Sequence, residues 1–452
     1  MMMKTLTLLA CAAAVSAFAG DDAAIHEDEA LSISVPSGET WTYSGKILGT
    51  SSITKSGLGT LVLSNAENDF TGGLTINEGA VEVAAQGALG AAENPVAVNV
   101  STESLAQLSL KAAVETVSQK IVVTIGGGSK KVAVPSSQVA IKVEGQTTFE
   151  EDVHFNRGSN YTTSYGIVAG AGSTSEAVFK KSFGAQTSGS KVSYPGVSGM
   201  GAAHFYGKVT CSKFFVRVPV YLHDDQNALT AVQWAQTQPL YCKTVNALND
   251  CSIMWSDYHG CVEMEGLDQA ISSIDWNQTG KNNYSYSDTQ RAFHSSTPAT
   301  LTITKGLSCA DGVYAGGDQK HFQQSRLCDE ITVVLNTDDA DYGQIFTNRE
   351  NTTTGNIIVS NGLFWVAKHS SFKNVPKIDL EGAGARFLLE TDLENSLASV
   401  TNGQTVTLSP GVYVDAGDEV SVVVRVTADG AADVTDDTVH APATGVKPPW
   451  YA

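Results

Sequence analysis

The chain has 452 residues, with 28 basic against 47 acidic side chains for a net charge of −19, and it carries 42 glycines, 12 prolines and an aromatic content of 8%. A dilute acidic surface without clustered Lys and Arg argues against nucleic acid or an anionic membrane as partner, because both need a basic patch to displace counterions. Length alone allows about three domains of ~150 residues, or one repetitive β architecture of the same size.

In chain order, the first element is a leader. Lys4 precedes an apolar, small-residue run from Leu6 to Phe18, which ends in Ala17-Phe18-Ala19 before Gly20 and an acidic stretch. That is the layout of a secretory signal peptide over residues 1–19, so the mature chain is expected outside the cytoplasm, secreted or at the cell surface. Leu8-Leu9-Ala10-Cys11 also resembles a lipobox; in that alternative only a handful of residues form the apolar region, fewer than the usual ~7. No other segment approaches the ~20 apolar residues of a membrane-spanning helix.

Beyond the leader, short strand-like runs alternate with Gly, Asn, Asp and Ser, at 31–35, 59–63, 74–83, 139–143, 208–221, 299–304, 331–335, 357–366 and 419–426. Period-two alternation, as in Val422, Val424 and Val426, marks half-buried strand. Residues 104–120 are ambiguous, since Leu105, Leu108, Ala112 and Val117 also fall on one helical face. The expected organisation is an all-β solenoid over 20–426, with repeat units near 47–90 and 331–390 and a cysteine-containing middle section at 205–330. A flexible tail over 427–452 contains Pro442, Pro448 and Pro449.

The solenoid expectation rests on an internal repeat. Asn65 to Ala84 aligns without gaps to Asn348 to Ala367, with eight identities: Asn65/Asn348, Glu67/Glu350, Asn68/Asn351, Thr71/Thr354, Gly72/Gly355, Gly79/Gly362, Val83/Val366 and Ala84/Ala367. Leu74/Ile357 and Ile76/Val359 add apolar matches. Identities on turn residues with apolar matches between them describe one strand-turn-strand unit used twice. Such a unit buries its apolar face only by stacking on its neighbours, and glycines serve corners that require positive φ; Gly72, Gly79, Gly355 and Gly362 are assigned to such corners.

The segment SGLGTLVLSNAENDFTGGLTINEGAVEVAAQGALG, residues 56–90, closely resembles the autotransporter-associated β-strand repeat, also called the passenger-associated transport repeat. The repeat runs G-x-G-T-L-x-L, then N-x-Y/F-T-G-G-T, then V-x-x-G-x-L-x-V. Gly57, Gly59, Thr60, Leu61 and Leu63 match its first part, Asn68, Phe70, Thr71, Gly72 and Gly73 its second, and Ile76, Gly79 and Val83 its third. The second copy has Asn356 in place of the second glycine. LDQAISSIDW from Leu267 and STPATLTITKG from Ser296 also look like segments that precede such repeats. The resemblance implies a right-handed parallel β-helix acting as an exported passenger, its repeat assisting secretion or folding at the outer membrane. Autotransporters of this family end in a membrane β-barrel of about a dozen ~10-residue strands. Nothing after Val426 in this sequence reads as one, so the export machinery is left open.

Six cysteines follow the leader: Cys211, Cys242, Cys251, Cys261, Cys309 and Cys328. In an exported chain they are candidates for disulfides, with 15 connectivities that sequence does not rank. The alternative is buried thiols acting as small apolar side chains. No Cys-x-x-Cys pair supports a structural zinc or a redox motif.

The chain is expected to be no enzyme and to need no cofactor. Asp224-Asp225 after His223 is the best carboxylate pair, but neighbouring strand residues face opposite ways, so a solvated turn is preferred. Tyr258-His259-Gly260 lacks the supporting residues of a polygalacturonase site. Asp338, Asp339 and Asp341 do not have the spacing of a calcium loop, Gly126-Gly127-Gly128 lacks the following Lys-Ser/Thr of a phosphate loop, and no G-x-S-x-G occurs. Trp255, Tyr258, Trp276, Tyr284 and Tyr286 gather near Asn282-Asn283, as core packing or as a sugar-binding surface. The expected function is thus an exported structural or adhesin-like passenger whose partner is an extracellular glycan or a host or cell-surface component. The alternative is a secreted β-helix lyase or glycosidase.

Overall fold

The computed structural model describes residues 6–7, 30–100, 106–125, 139–157, 168–185, 193–234, 236–254, 260–275, 291–308, 326–339, 342–346, 351–366, 372, 374–381, 385–389, 405–408 and 413–416. Every regular element among them is a strand, and the chain divides into two compact units, Met1–Ala228 and Leu229–Ala452.

In the first unit the strands stack in parallel, each bonded to the strand one coil before and one coil after. One face stacks Leu31, Ile53, Leu74, Val96, Ile121, Val153, Phe183 and Val209 in a single buried column. A second stacks Trp41, Leu61, Val81, Leu108, Ile141, Val168 and Val197. The alternation of side chains along a strand sends these residues inward and their neighbours out, and the parallel ladder repeats that choice coil after coil.

A third face begins at Thr116–Val117 and continues through Phe149, Phe179, Phe205 and Leu222. Its first edge is closed by a side chain: Gln86 Oε1 accepts the backbone N–H groups of Glu115 and Thr116, both at 3.0 Å, and Gln86 Nε2 donates to Thr116 O at 2.8 Å. The amide thus stands in for the strand that this face lacks below. Adding a face lengthens the coil. Contacts between successive coils span 21 residues at Asn68 and Ile47 but 33 at Thr147 and Val114. The wider cross-section is filled by larger side chains, with Phe149, Phe179 and Phe205 stacked at centroid separations of 4.9 Å along the axis.

The second unit uses the same logic. Ile271, Ile303, Leu335 and Val359 form one parallel column, which Lys377–Leu380 and Thr405–Leu408 continue in backbone register, and Leu240, Val262, Phe293 and Leu327 another. A further parallel stack runs through Tyr342–Phe346, the end of Ile357–Val366, Ala385–Leu389 and Tyr413–Ala416, with Leu307–Ser308 antiparallel at its edge. Buried Gln344 accepts the N–H of Ile274 at 2.8 Å and donates to its carbonyl at 2.9 Å, again an amide side chain completing a ladder.

Three expectations change in detail. The run 74–83 is two strands, Leu74–Ile76 and Ala80–Val83, because Gly79 turns the chain at φ +63°. Where described, residues 104–120 hold two short strands, Gln107–Leu110 and Thr116–Val117, joined by a turn at which Ala112 is exposed, so the helical reading that placed Leu108 and Ala112 on one face gives way. The run 208–221 divides into Val209–Val216 and Val220–Leu222. Residues 419–426 and the tail 427–452 lie outside the described residues, as does the leader except Leu6–Thr7, which pairs in parallel with Leu31 and Ser32.

Candidate functional site

Within their own units, the two copies of the repeat make matching contacts. Asn68 Oδ1 accepts the N–H of Ile47 at 2.9 Å, and Asn351 Oδ1 accepts that of Leu327 at 3.1 Å. Both asparagines are buried. Thr71 donates to Gly49 O from its backbone N at 2.8 Å and its hydroxyl at 3.1 Å; Thr354 does the same to Asp329 O at 2.7 and 3.3 Å. Leu74 and Ile76 in one copy, and Ile357 and Val359 in the other, fill the core.

The seven turn glycines divide by mechanism. Gly57, Gly73, Gly79 and Gly362 have positive φ. Gly59, Gly72 and Gly355 do not, which corrects the left-handed assignment of Gly72 and Gly355. They are close-approach positions, where a Cβ would fall 2.2 Å from Pro36 O, Thr50 O and Ile331 O respectively. The corner brings backbone from adjacent coils together so tightly that no side chain fits.

Sequence reasoning missed a lysine in the core of the repeat. Lys55 lies between Ile33 and Ile76 in the register and is fully buried. Its Nζ turns to the corner and donates to the carbonyls of Ser56, Gly57 and Glu78 at 2.8, 2.7 and 3.1 Å. Glu78 in turn accepts the N–H of Gly57 at 2.8 Å. Burial lowers the Lys55 ammonium to about 8, against the opposing pull of Glu78. The available signal was its inward position two residues after Ile53.

Cys211, Cys242, Cys251, Cys261 and Cys328 are not joined in disulfides, and Cys309 lies outside the described residues. The disulfide expectation therefore gives way, for these five, to the apolar alternative. Cys211, Cys242 and Cys251 point inward two residues from Val209, Leu240 and Ile253, and occupy core volume as aliphatic side chains do. Burial pushes the Cys251 thiol up to about 12 and raises those of Cys242 and Cys261 as well, which removes the thiolate needed for exchange.

A described surface of mixed chemistry lies on the third face of the first unit. Its outward column runs Thr116, Thr148, Val178, His204, Tyr221. Three short side chains are followed by two rings, His204 and Tyr221, stacked with centroids 4.2 Å apart and planes 6° from parallel. Along the short side chains lies a groove of about 560 Å³ lined by Glu115, Thr116, Gln146, Thr148, Glu176 and Val178 together with Ala112 and Thr147. Gln146 Nε2 donates to Glu176 Oε2 at 3.3 Å, and Glu176 Oε1 lies 3.1 Å from His204 Nε2. Beside it, Tyr206 stacks on His223 at 3.9 Å and carries the Lys180 ammonium over its ring at 4.3 Å.

In the second unit, His294 is held by two carboxylates from adjacent coils. Its Nδ1 bonds with Glu263 Oε2, and its Nε2 lies 2.8 Å from Asp329 Oδ2. With both ring nitrogens engaged, the imidazole works as a clamp between coils, since a general base needs a nitrogen that faces its substrate. Asp224 and Asp225 form a turn: Asp224 Oδ1 accepts the N–H of Gln226 at 2.6 Å and Asp225 Oδ1 accepts its side-chain amide at 2.9 Å. Asp338 and Asp339 are exposed on a turn, and Gly260 packs under Trp234. Gly126-Gly127-Gly128, Trp255, Tyr258, His259, Trp276, Asn282-Asn283, Tyr284, Tyr286 and Asp341 lie outside the described residues. Among the described residues, no group of three or more His, Cys, Asp or Glu side chains is arranged to hold a metal ion.

Compared with known families, residues 53–83 match the family described as passenger-associated-transport-repeat, and the chain carries that repeat. The match runs from within the strand Ser52–Ser56 to the end of Ala80–Val83, with Lys55, Asn68, Thr71, Gly57, Gly59, Gly72, Gly73 and Gly79 inside it. No curated protein and no solved structure matches the chain.

Proposed function

We propose that this protein is an exported passenger, wound as a right-handed parallel β-helix, that serves as a structural or adhesive element outside the cell or on its surface. The observation that carries this reading is the passenger-associated transport repeat at residues 53–83, whose asparagine, threonine and glycine contacts recur at Asn351, Thr354 and Gly355. A stack of this kind suits export. Each finished coil presents a full row of backbone donors and acceptors to the next, so folding can propagate along the chain as it emerges. On this reading residues 1–19 direct export and are removed, the chain turns over no substrate, and its work is done by the outward columns.

The test is protease shaving of intact producing cells, with mass spectrometry of the released peptides and a periplasmic protein as control. Release of peptides from residues 20–426 while the control stays protected is the expected result. Confinement of the chain with the control would overturn surface display.

A further inference from the structure

We propose that the groove on the third face of the first unit binds a neutral oligosaccharide. The inference deepens the adhesive reading and rests on it for its biological setting, but its chemistry comes from the groove itself. The floor spans three coils, or two strand spacings of about 4.8 Å, which gives roughly 10 Å of length. A volume of about 560 Å³ falls within the ~300–1,000 Å³ typical of small-ligand sites.

Two of the floor strands are hydrogen-bonded to the coils before and after them, and the first, Thr116–Val117, is capped on its open side by the Gln86 amide, so they offer no free edge to an added peptide strand. The polar side chains among the lining residues with outward register positions are the hydroxyls of Thr116 and Thr148, the amide of Gln146 and the carboxylates of Glu115 and Glu176. A ligand matching that set carries many hydroxyls, each able to donate and accept. Charge narrows the class further. Glu115 and Glu176 are the ionisable groups among the lining residues. The nearby cations are engaged elsewhere, Lys180 over the Tyr206 ring and Lys181 with Glu151 at 2.6 Å. Uronic acids, sulfated sugars and phosphates are therefore repelled, and a neutral polyol is not.

The wall is also held in place before a ligand arrives. Glu176 is tied to Gln146 on one side and to His204 on the other, and His204 is backed by Tyr221. A fixed wall spares the ordering cost of binding.

The experiment is calorimetric titration of the purified mature chain with neutral gluco-, manno- and galacto-hexasaccharides, a hexauronate and a glucosamine hexamer. Saturable binding of a neutral hexasaccharide is expected, with none of the hexauronate. Thr148→Trp fills the floor from an outward position and should weaken binding by about tenfold or more; Thr116→Trp repeats the test at a second floor position, with circular dichroism verifying the fold of each. Glu176→Gln should reduce the exclusion of the hexauronate relative to the parent. Three outcomes overturn the proposal: no neutral hexasaccharide binds at millimolar concentration, the charged oligomers bind in preference, or both tryptophan variants bind as the parent does. Cell shaving reports separately on display, so failure of the groove and failure of the passenger reading are distinguishable.

Discussion

Asn68 accepts the backbone N–H of Ile47, 21 residues earlier and one coil below, while its own amide donates to Ala88 O, 20 residues later and one coil above. One buried side chain thus ties three coils of the repeat together. Asn68→Ala would orphan a buried donor and a buried acceptor, and a cost of about 3 kcal/mol is expected. Asn68→Asp keeps the acceptor for Ile47 but sets a buried carboxylate against Ala88 O, and should not recover the loss. Urea denaturation gives the magnitudes, and faster hydrogen exchange at the Ile47 amide would localise the effect. An unchanged midpoint in Asn68→Ala would contradict this role.

Gly72 and Gly38 separate two reasons for glycine. At Gly38, φ is +81° and no atom lies within 4 Å of the place a Cβ would occupy, so Gly38→Ala carries only the left-handed strain of about 1 kcal/mol. Gly72 has no such strain, but an added Cβ would meet Thr50 O at 2.2 Å. Gly72→Ala is expected to cost about 3 kcal/mol because adjacent coils must part. Thermal unfolding of the two variants side by side should rank Gly72→Ala as clearly the worse.

Lys55 sets a pH dependence. Its folded value is lowered from 10.5 to about 8, so between those values the unfolded chain binds more protons than the folded one. The Lys55 contribution is therefore fully favourable above about 10.5 and is lost as pH falls through about 8. Stability of the parent relative to Lys55→Met should rise across that window. A difference that stays flat with pH would show that the ammonium is no less stable in the fold than in water.

The cysteines give a chemical readout. With Cys242 and Cys251 fully buried and their thiols raised by that burial, neither should alkylate in the native chain at mildly alkaline pH. Both should label completely once the chain is unfolded without reductant. Failure to label after unfolding would mean that they are joined in a disulfide, reversing the free-thiol assignment.

Much of the fold is legible along the chain because a parallel coil repeats local chemistry. Inward residues alternate, as Ile53 and Lys55 do, and corner residues recur in order, as Asn68, Thr71 and Gly72 do in Asn351, Thr354 and Gly355. Lys55 was passed over because a lysine reads as solvent-facing until its ammonium is seen to find three backbone carbonyls. The aromatic residues singled out from sequence, Trp255, Tyr258, Trp276, Tyr284 and Tyr286, lie outside the described residues.

The sequence by itself determined the strand class, the repeat, the positions of the corners and the acidic balance that argues against nucleic acid. These depend on side-chain period, turn chemistry and net charge, all of which are local or additive. Only the tertiary structure decided that Thr148, Val178, His204 and Tyr221 share one outward column, that Gln86 closes the edge of a new face, and that His294 bridges Glu263 and Asp329. The reason is register. Coil length changes from one turn to the next as corners and faces are added, so which outward residues become neighbours is fixed by backbone hydrogen bonding between coils rather than by any constant spacing in the chain.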